Sequence, residues 1–179
     1  MQKSLQDIKL LLKLLLLVAF LCTACKKPNS FPDEPAIEYQ SYSRMPAASG
    51  KDSIVILKFA FTDGDGDIGL SQQDTVAPYN SGNRYYYNIL IEYYEKVAGG
   101  TFKKVPFPNS VTDTINFHQR LPVITPEGKN KAIKGTVEVK VITSVWIQVP
   151  EKIKFRIKLV DRKLNESNEI ETEEIGVNL

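Results

Sequence analysis

From residue 36 onward the apolar residues of this chain recur at every second position, and that period restricts what it can become. Val55, Leu57, Phe59 and Phe61 alternate with Ile54, Ile56, Lys58 and Ala60. Tyr85, Tyr87, Ile89, Ile91 and Tyr93 alternate with Tyr86, Asn88, Leu90, Glu92 and Tyr94. Val137, Val139 and Val141 keep the same step, and Ile153, Phe155, Ile157 and Leu159 keep it against Lys154, Arg156 and Lys158. Successive side chains of an extended chain point to opposite faces, so this pattern builds strands with one buried face. The runs are rich in β-branched and aromatic residues, and no stretch after Cys25 offers three turns of helical spacing.

Turn chemistry then sets the number of strands. Ala98-Gly99-Gly100 separates 85–97 from 101–105 and predicts a hairpin, while Pro106, Pro108, Pro122 and Pro126 keep the following stretch out of a sheet centre. Strands are expected over 36–43, 53–61, 85–97, 101–105, 137–142, 153–160 and 169–177, with a doubtful eighth near 112–117. Seven or eight strands in this length predict an all-β, antiparallel two-sheet sandwich. The pattern resembles immunoglobulin and fibronectin type III domains, without the cysteine and tyrosine marks of antibody domains. An up-and-down barrel is the alternative. At 179 residues, 42% of them apolar and 25% charged, the chain suits one such domain with appendages.

The first appendage is an export signal. Lys3, Lys9 and Lys13 precede the apolar run 14–21, and small residues follow it. A charged segment, a short apolar core and small residues before a cut make a secretory leader, here 1–24. The run is too short to span about 30 Å of hydrocarbon as a helix. Leu21-Cys22-Thr23-Ala24-Cys25 resembles the lipobox of bacterial lipoproteins, with Cys22 standing where that family usually has leucine. The resemblance implies that Cys25 becomes the lipidated first residue of the mature chain. Cleavage there leaves the exported domain no cysteine free for a disulfide, so its core has no such support. Residues 25–35 are polar and carry three prolines, which reads as a tether, and 36–179 form the sandwich.

The second feature is Thr62-Asp63-Gly64-Asp65-Gly66-Asp67-Ile68-Gly69-Leu70. Alternating carboxylates on a flexible loop can converge on one calcium ion, which takes six to eight oxygens at about 2.3–2.6 Å. Asp63, Asp65 and Asp67 are the candidate ligands. Asp74 is a weaker one, eleven residues after Asp63 as in an EF-hand loop. Ile68 at the sixth position and the strand-like flanks exclude the EF-hand itself. The competing reading is a wide turn, in which glycines take positive φ, aspartates cap amides, and Ile68 and Leu70 plug into the core. Asp161, Asn165 and Asn168 in a later loop add oxygens if the two loops meet. Together with the leader and strand order, this segment resembles uncharacterised lipoproteins of the Bacteroidetes. That resemblance implies a cell-envelope, outer-membrane protein held by its lipid, on the periplasmic side or the cell surface, and it implies no activity.

Charge excludes one class of partner. There are 23 basic and 21 acidic residues, and removing the leader's three lysines and one aspartate leaves twenty of each. A neutral body gives no basis for nucleic-acid binding. Catalytic candidates are few: His118 is the sole histidine, in a proline-bounded stretch that suggests a surface or turn residue, and no nucleophile elbow or phosphate loop is present. Tyr86 and Tyr94 with Asn88 and Glu92 form a strand face suited either to packing or to sugar rings or a partner strand, and Trp146 reads as core. Lys152, Lys154, Arg156 and Lys158 read as a solvated face balanced by Glu151, Glu171, Glu173 and Glu174. The sequence therefore predicts a non-enzymatic binding or adaptor module contacting an envelope protein or a glycan. The alternatives are a structural accessory lipoprotein and, last, a hydrolase.

Overall fold

The computed structural model describes residues 31–47, 50, 52–129, 131–142 and 150–176. The leader, Cys25 and Trp146 lie outside the described residues. The protein is an all-β sandwich of two antiparallel sheets. The first contains β1 (Ala36–Pro46), β2 (Asp52–Asp63) and β5 (Ile133–Ile142), in the order β1-β2-β5. The second contains β3 (Ile89–Lys96), β4 (Phe102–Lys104), β6 (Lys152–Leu159), β7 (Ile170–Glu171) and β8 (Ile175–Gly176), in the order β4-β3-β6-β7 with β8 also on β6. Because β7 and β8 are two pieces of one edge, seven strand positions carry the fold. Lettered along the chain with β4 as C′, the sheets read A-B-E and C′-C-F-G, the immunoglobulin-type order.

The core follows the alternation. Val55, Leu57, Phe59 and Phe61 of β2 and Val137, Val139 and Val141 of β5 face Ile89, Ile91 and Tyr93 of β3 and the Ile153–Leu159 series of β6. Tyr93, Phe117 and Phe155 pack their rings at centroid distances of 5.7–6.1 Å. The glycine hairpin forms as expected: Gly99 and Gly100 take positive φ, and the Val97 amide donates to the Thr101 carbonyl at 2.9 Å. The basic face of β6 is paired, Lys152 with Glu174, Lys154 and Arg156 with Glu171, and Lys158 with Glu166. Glu173 instead accepts from the Tyr39 hydroxyl.

Two expectations change. The strand expected over 85–97 begins only at Ile89, because Arg84–Tyr86 form a 3-10 turn. Its cause is Arg120, whose guanidinium lies 4.9 Å from the Tyr86 ring and donates to the carbonyls of Tyr86, Tyr79, Ser71 and Asp74. One cation thus gathers the loop 71–86 and turns the tyrosine run away from the sheet. The doubtful strand near 112–117 is a set of single bridges: Thr114 on Pro106, Asn116 on Glu92 and Gln119 on Ile89. Asn116 and Gln119 line the same edge of β3 that β4 covers further along. There the His118 imidazole takes a backbone carbonyl's place, its Nδ1 accepting the Ile91 N–H at 2.8 Å.

Candidate metal centre

Asp63 is the last residue of β2 and, being odd-numbered like Val55 to Phe61, continues the inward-facing series. Period two therefore carries a carboxylate to the end of the core, where it is 0% exposed. The following glycines let other backbones close over the loop. A Cβ on Gly64 would overlap the carbonyls of Phe31 and Pro32, and one on Gly66 would overlap Lys131 O. The Gly64 amide donates to Pro32 O at 2.8 Å, joining the end of the tether to the loop. Ile68 and Leu70 are buried, and Leu70 N donates to Leu121 O at 2.8 Å. In these respects the loop is also the wide turn of the competing reading.

The carboxylates of this loop do less capping than such a turn would use. Asp63, Asp65 and Asp67 each bring an oxygen to within 4.8 Å of the others. Both oxygens of Asp63, and Oδ1 of Asp65 and of Asp67, are buried without a hydrogen-bond partner among the described residues. Buried polar atoms normally have partners, and an unpaired buried carboxylate is costly. Burial, followed by the charges of Asp65, Asp67 and Asp161, pushes the Asp63 carboxyl up to about 7, with the Asp67 amide pulling the other way. Burial and the Asp161 and Asp65 charges likewise raise Asp67. Lys163 pairs with Oδ2 of Asp65 from an exposed position, and the Arg162 guanidinium lies near enough to interact with Asp67.

The donor set fits a hard cation. Oxygens held about 2.3–2.6 Å from a calcium ion are separated by at most about 4.6–5.2 Å, which accommodates the observed spread. Magnesium, at about 2.0–2.1 Å, needs a tighter octahedron, and zinc prefers nitrogen and sulfur. Three aspartates supply part of a calcium shell, leaving positions for backbone carbonyls and water.

The later loop does meet this one. Ile68 bridges Asp161, and Arg162 N donates to Asp67 O. Asp161 and its neighbours nevertheless have other employment. Asp161 accepts from the Asn165 amide and side chain at 2.8 and 2.7 Å, and Asn168 brackets Ile37 by bonding both its N–H and its C=O. Asp74 also stands apart from the group. Arg162 binds it bidentately at 2.7 and 3.0 Å, and it accepts the Ser71 amide at 2.6 Å. That guanidinium holds the Asp74 carboxyl well below the usual carboxylate range. The EF-hand spacing is thus coincidental, and Asp74 is a clamp on the loop. Arg120 and Arg162 do much of the local positioning, yet neither sits in a recognisable motif. A signal existed only in their being arginines within loops otherwise rich in carbonyls and carboxylates.

Comparison with known proteins returns no match among family models, curated proteins or solved structures. No helix among the described residues is long and apolar enough to cross a membrane.

Proposed function

We propose that this protein is a lipid-anchored, non-enzymatic binding module of the bacterial cell envelope whose sandwich is closed at one end by a calcium ion on Asp63, Asp65 and Asp67. The observation that carries the metal is the set of four buried carboxylate oxygens, on three converging side chains, that have no hydrogen-bond partner among the described residues. Uncompensated, such a group repels itself; a divalent cation removes the repulsion and turns the loop into a cross-link between the tether, β2 and the 161–163 turn. The leader and the Cys25 lipobox support the anchor and the outer-membrane placement, and the resemblance to Bacteroidetes lipoproteins supports the class.

The non-enzymatic reading rests on His118. Its Nδ1 lone pair is committed to the Ile91 amide, which puts the proton on Nε2, and burial lowers its pKa. A neutral imidazole in that tautomer offers a donor and no free base.

Thermal unfolding of the full-length protein with excess calcium and with chelator tests the metal. A ligand bound only to the native state at about a hundred times its Kd adds about 2.7 kcal/mol, which for a chain of this size raises Tm by roughly 5–10 °C. An unchanged Tm defeats the calcium assignment. Mass spectrometry of protein from its native host tests the anchor separately: a diacylglycerol-modified Cys25 as the first residue is expected, and an intact Met1 start without acylation refutes it.

A further inference from the structure

A second site lies on the outer face of the larger sheet. There the loop 81–87 and the bridging run at Asp113–His118 wall a cavity of about 740 Å³, in the range that holds small ligands. Its apolar surface comes from Tyr86, Tyr87 and Leu90. Tyr87 is 36% exposed and held edge-on by Tyr86 at 4.8 Å and by His118 at 6.0 Å. The ring is therefore accessible and yet fixed, because the Arg120 clamp holds the turn that presents it.

The walls are charged but compensated. Arg84 and Lys158 both pair with Glu166, Arg156 lies 3.7 Å from Glu169, and Glu92 is bound by Lys104 at 2.6 Å. Asp113 in the same wall accepts from the Ser110 and Thr112 hydroxyls. The four carboxylates Glu92, Asp113, Glu166 and Glu169 are balanced by Arg84, Arg156, Lys158 and Lys104, and the wall carries no net charge to select an ion. What remains is a fixed array of donors and acceptors, to which Asn116 and the His118 Nε2–H add neutral groups. A ligand that stacks apolar C–H faces on a tyrosine while exchanging many hydrogen bonds, without net charge, is a neutral sugar ring.

We infer that this cavity is a binding site for neutral carbohydrate, with Tyr87 as the stacking platform. The inference rests on the reading of the protein as a binding module and is independent of the metal. The test is native affinity electrophoresis of the full-length protein, in calcium, through gels containing neutral polysaccharides (mannan, xyloglucan, galactomannan, mixed-linkage glucan) or anionic polygalacturonate. At least one neutral polymer is expected to retard the wild-type protein. Tyr87→Ala should weaken that binding by about tenfold or more, while Tyr87→Phe, which keeps the ring, should stay within about threefold. Absence of retardation by every neutral polymer, retardation by polygalacturonate alone, or equal retardation of Tyr87→Ala would each overturn the site. Melting the same preparation with and without calcium keeps the two proposals apart. A calcium-responsive protein that no neutral polymer retards refutes the sugar site and leaves the calcium-closed module standing.

Discussion

The middle of the sandwich and its end at the aspartate loop are made by the same strand and solve burial in opposite ways. Along β2, Val55, Leu57, Phe59 and Phe61 point inward and meet apolar side chains from both sheets. Two residues further, in the same inward register, Asp63 is equally buried and meets other carboxylates. Periodicity decides which residues go inside, and chemistry then decides whether the interior is complete. The middle is complete by itself, whereas the end gathers carboxylates with buried oxygens that have no partner among the described residues.

Substitutions can break or sharpen this contrast. The largest effect should come from the middle: Phe155→Ala removes a fully buried ring packed on Tyr93 and Phe117, and should cost about 3–5 kcal/mol in urea unfolding, alike with calcium or chelator. At the end, the dependence on conditions is the signature. The folded-state pKa of Asp63, about 7, lies above its ordinary 3.8, so between those values the native state holds more protons than the unfolded chain. In chelator, stability should therefore fall as pH rises from about 4 to 7, by up to about 4 kcal/mol. Calcium should abolish that fall, and unfolding curves that ignore pH in chelator would contradict it. Gly66→Ala, which puts a Cβ into Lys131 O at positive φ, should cost about 1–3 kcal/mol and weaken calcium binding. Asp74→Ala should cost about 1–2 kcal/mol while leaving calcium binding in place, since the Arg162 clamp lies outside the metal group. Because the folded pKa of Asp74 is depressed, its contribution is present above the ordinary carboxylate range and disappears as pH falls below it. Smallest of all, Lys58→Ala at the exposed Glu138 pair should change stability by less than about 0.5 kcal/mol.

How much of this was legible beforehand follows the same division. Inward positions of β2, β3, β5 and β6 were readable because a half-buried strand needs only local alternation, and the glycine hairpin because its φ angles are a local demand. Asp63, Asp65 and Asp67 were readable as a group because three adjacent alternating carboxylates share one short loop. The start of β3 was not, since Tyr85 to Tyr87 have every local reason to be extended and are turned aside by Arg120, some 34 residues away in sequence. Asp74 was misplaced because spacing alone does not reveal a competing guanidinium at position 162. The role of His118 as a rung of the β3 ladder was hidden for the same reason. A side chain that stands in for a backbone carbonyl leaves no periodic trace.

Isothermal titration of calcium into the wild-type protein and into Asp63→Asn, at neutral pH, tests the metal centre most directly. The wild type should bind one ion per chain with release of protons, and Asp63→Asn, folded and no less stable in chelator, should bind none. A wild-type titration without heat or saturation, or an Asp63→Asn titration that matches it, would show that the loop is only a turn.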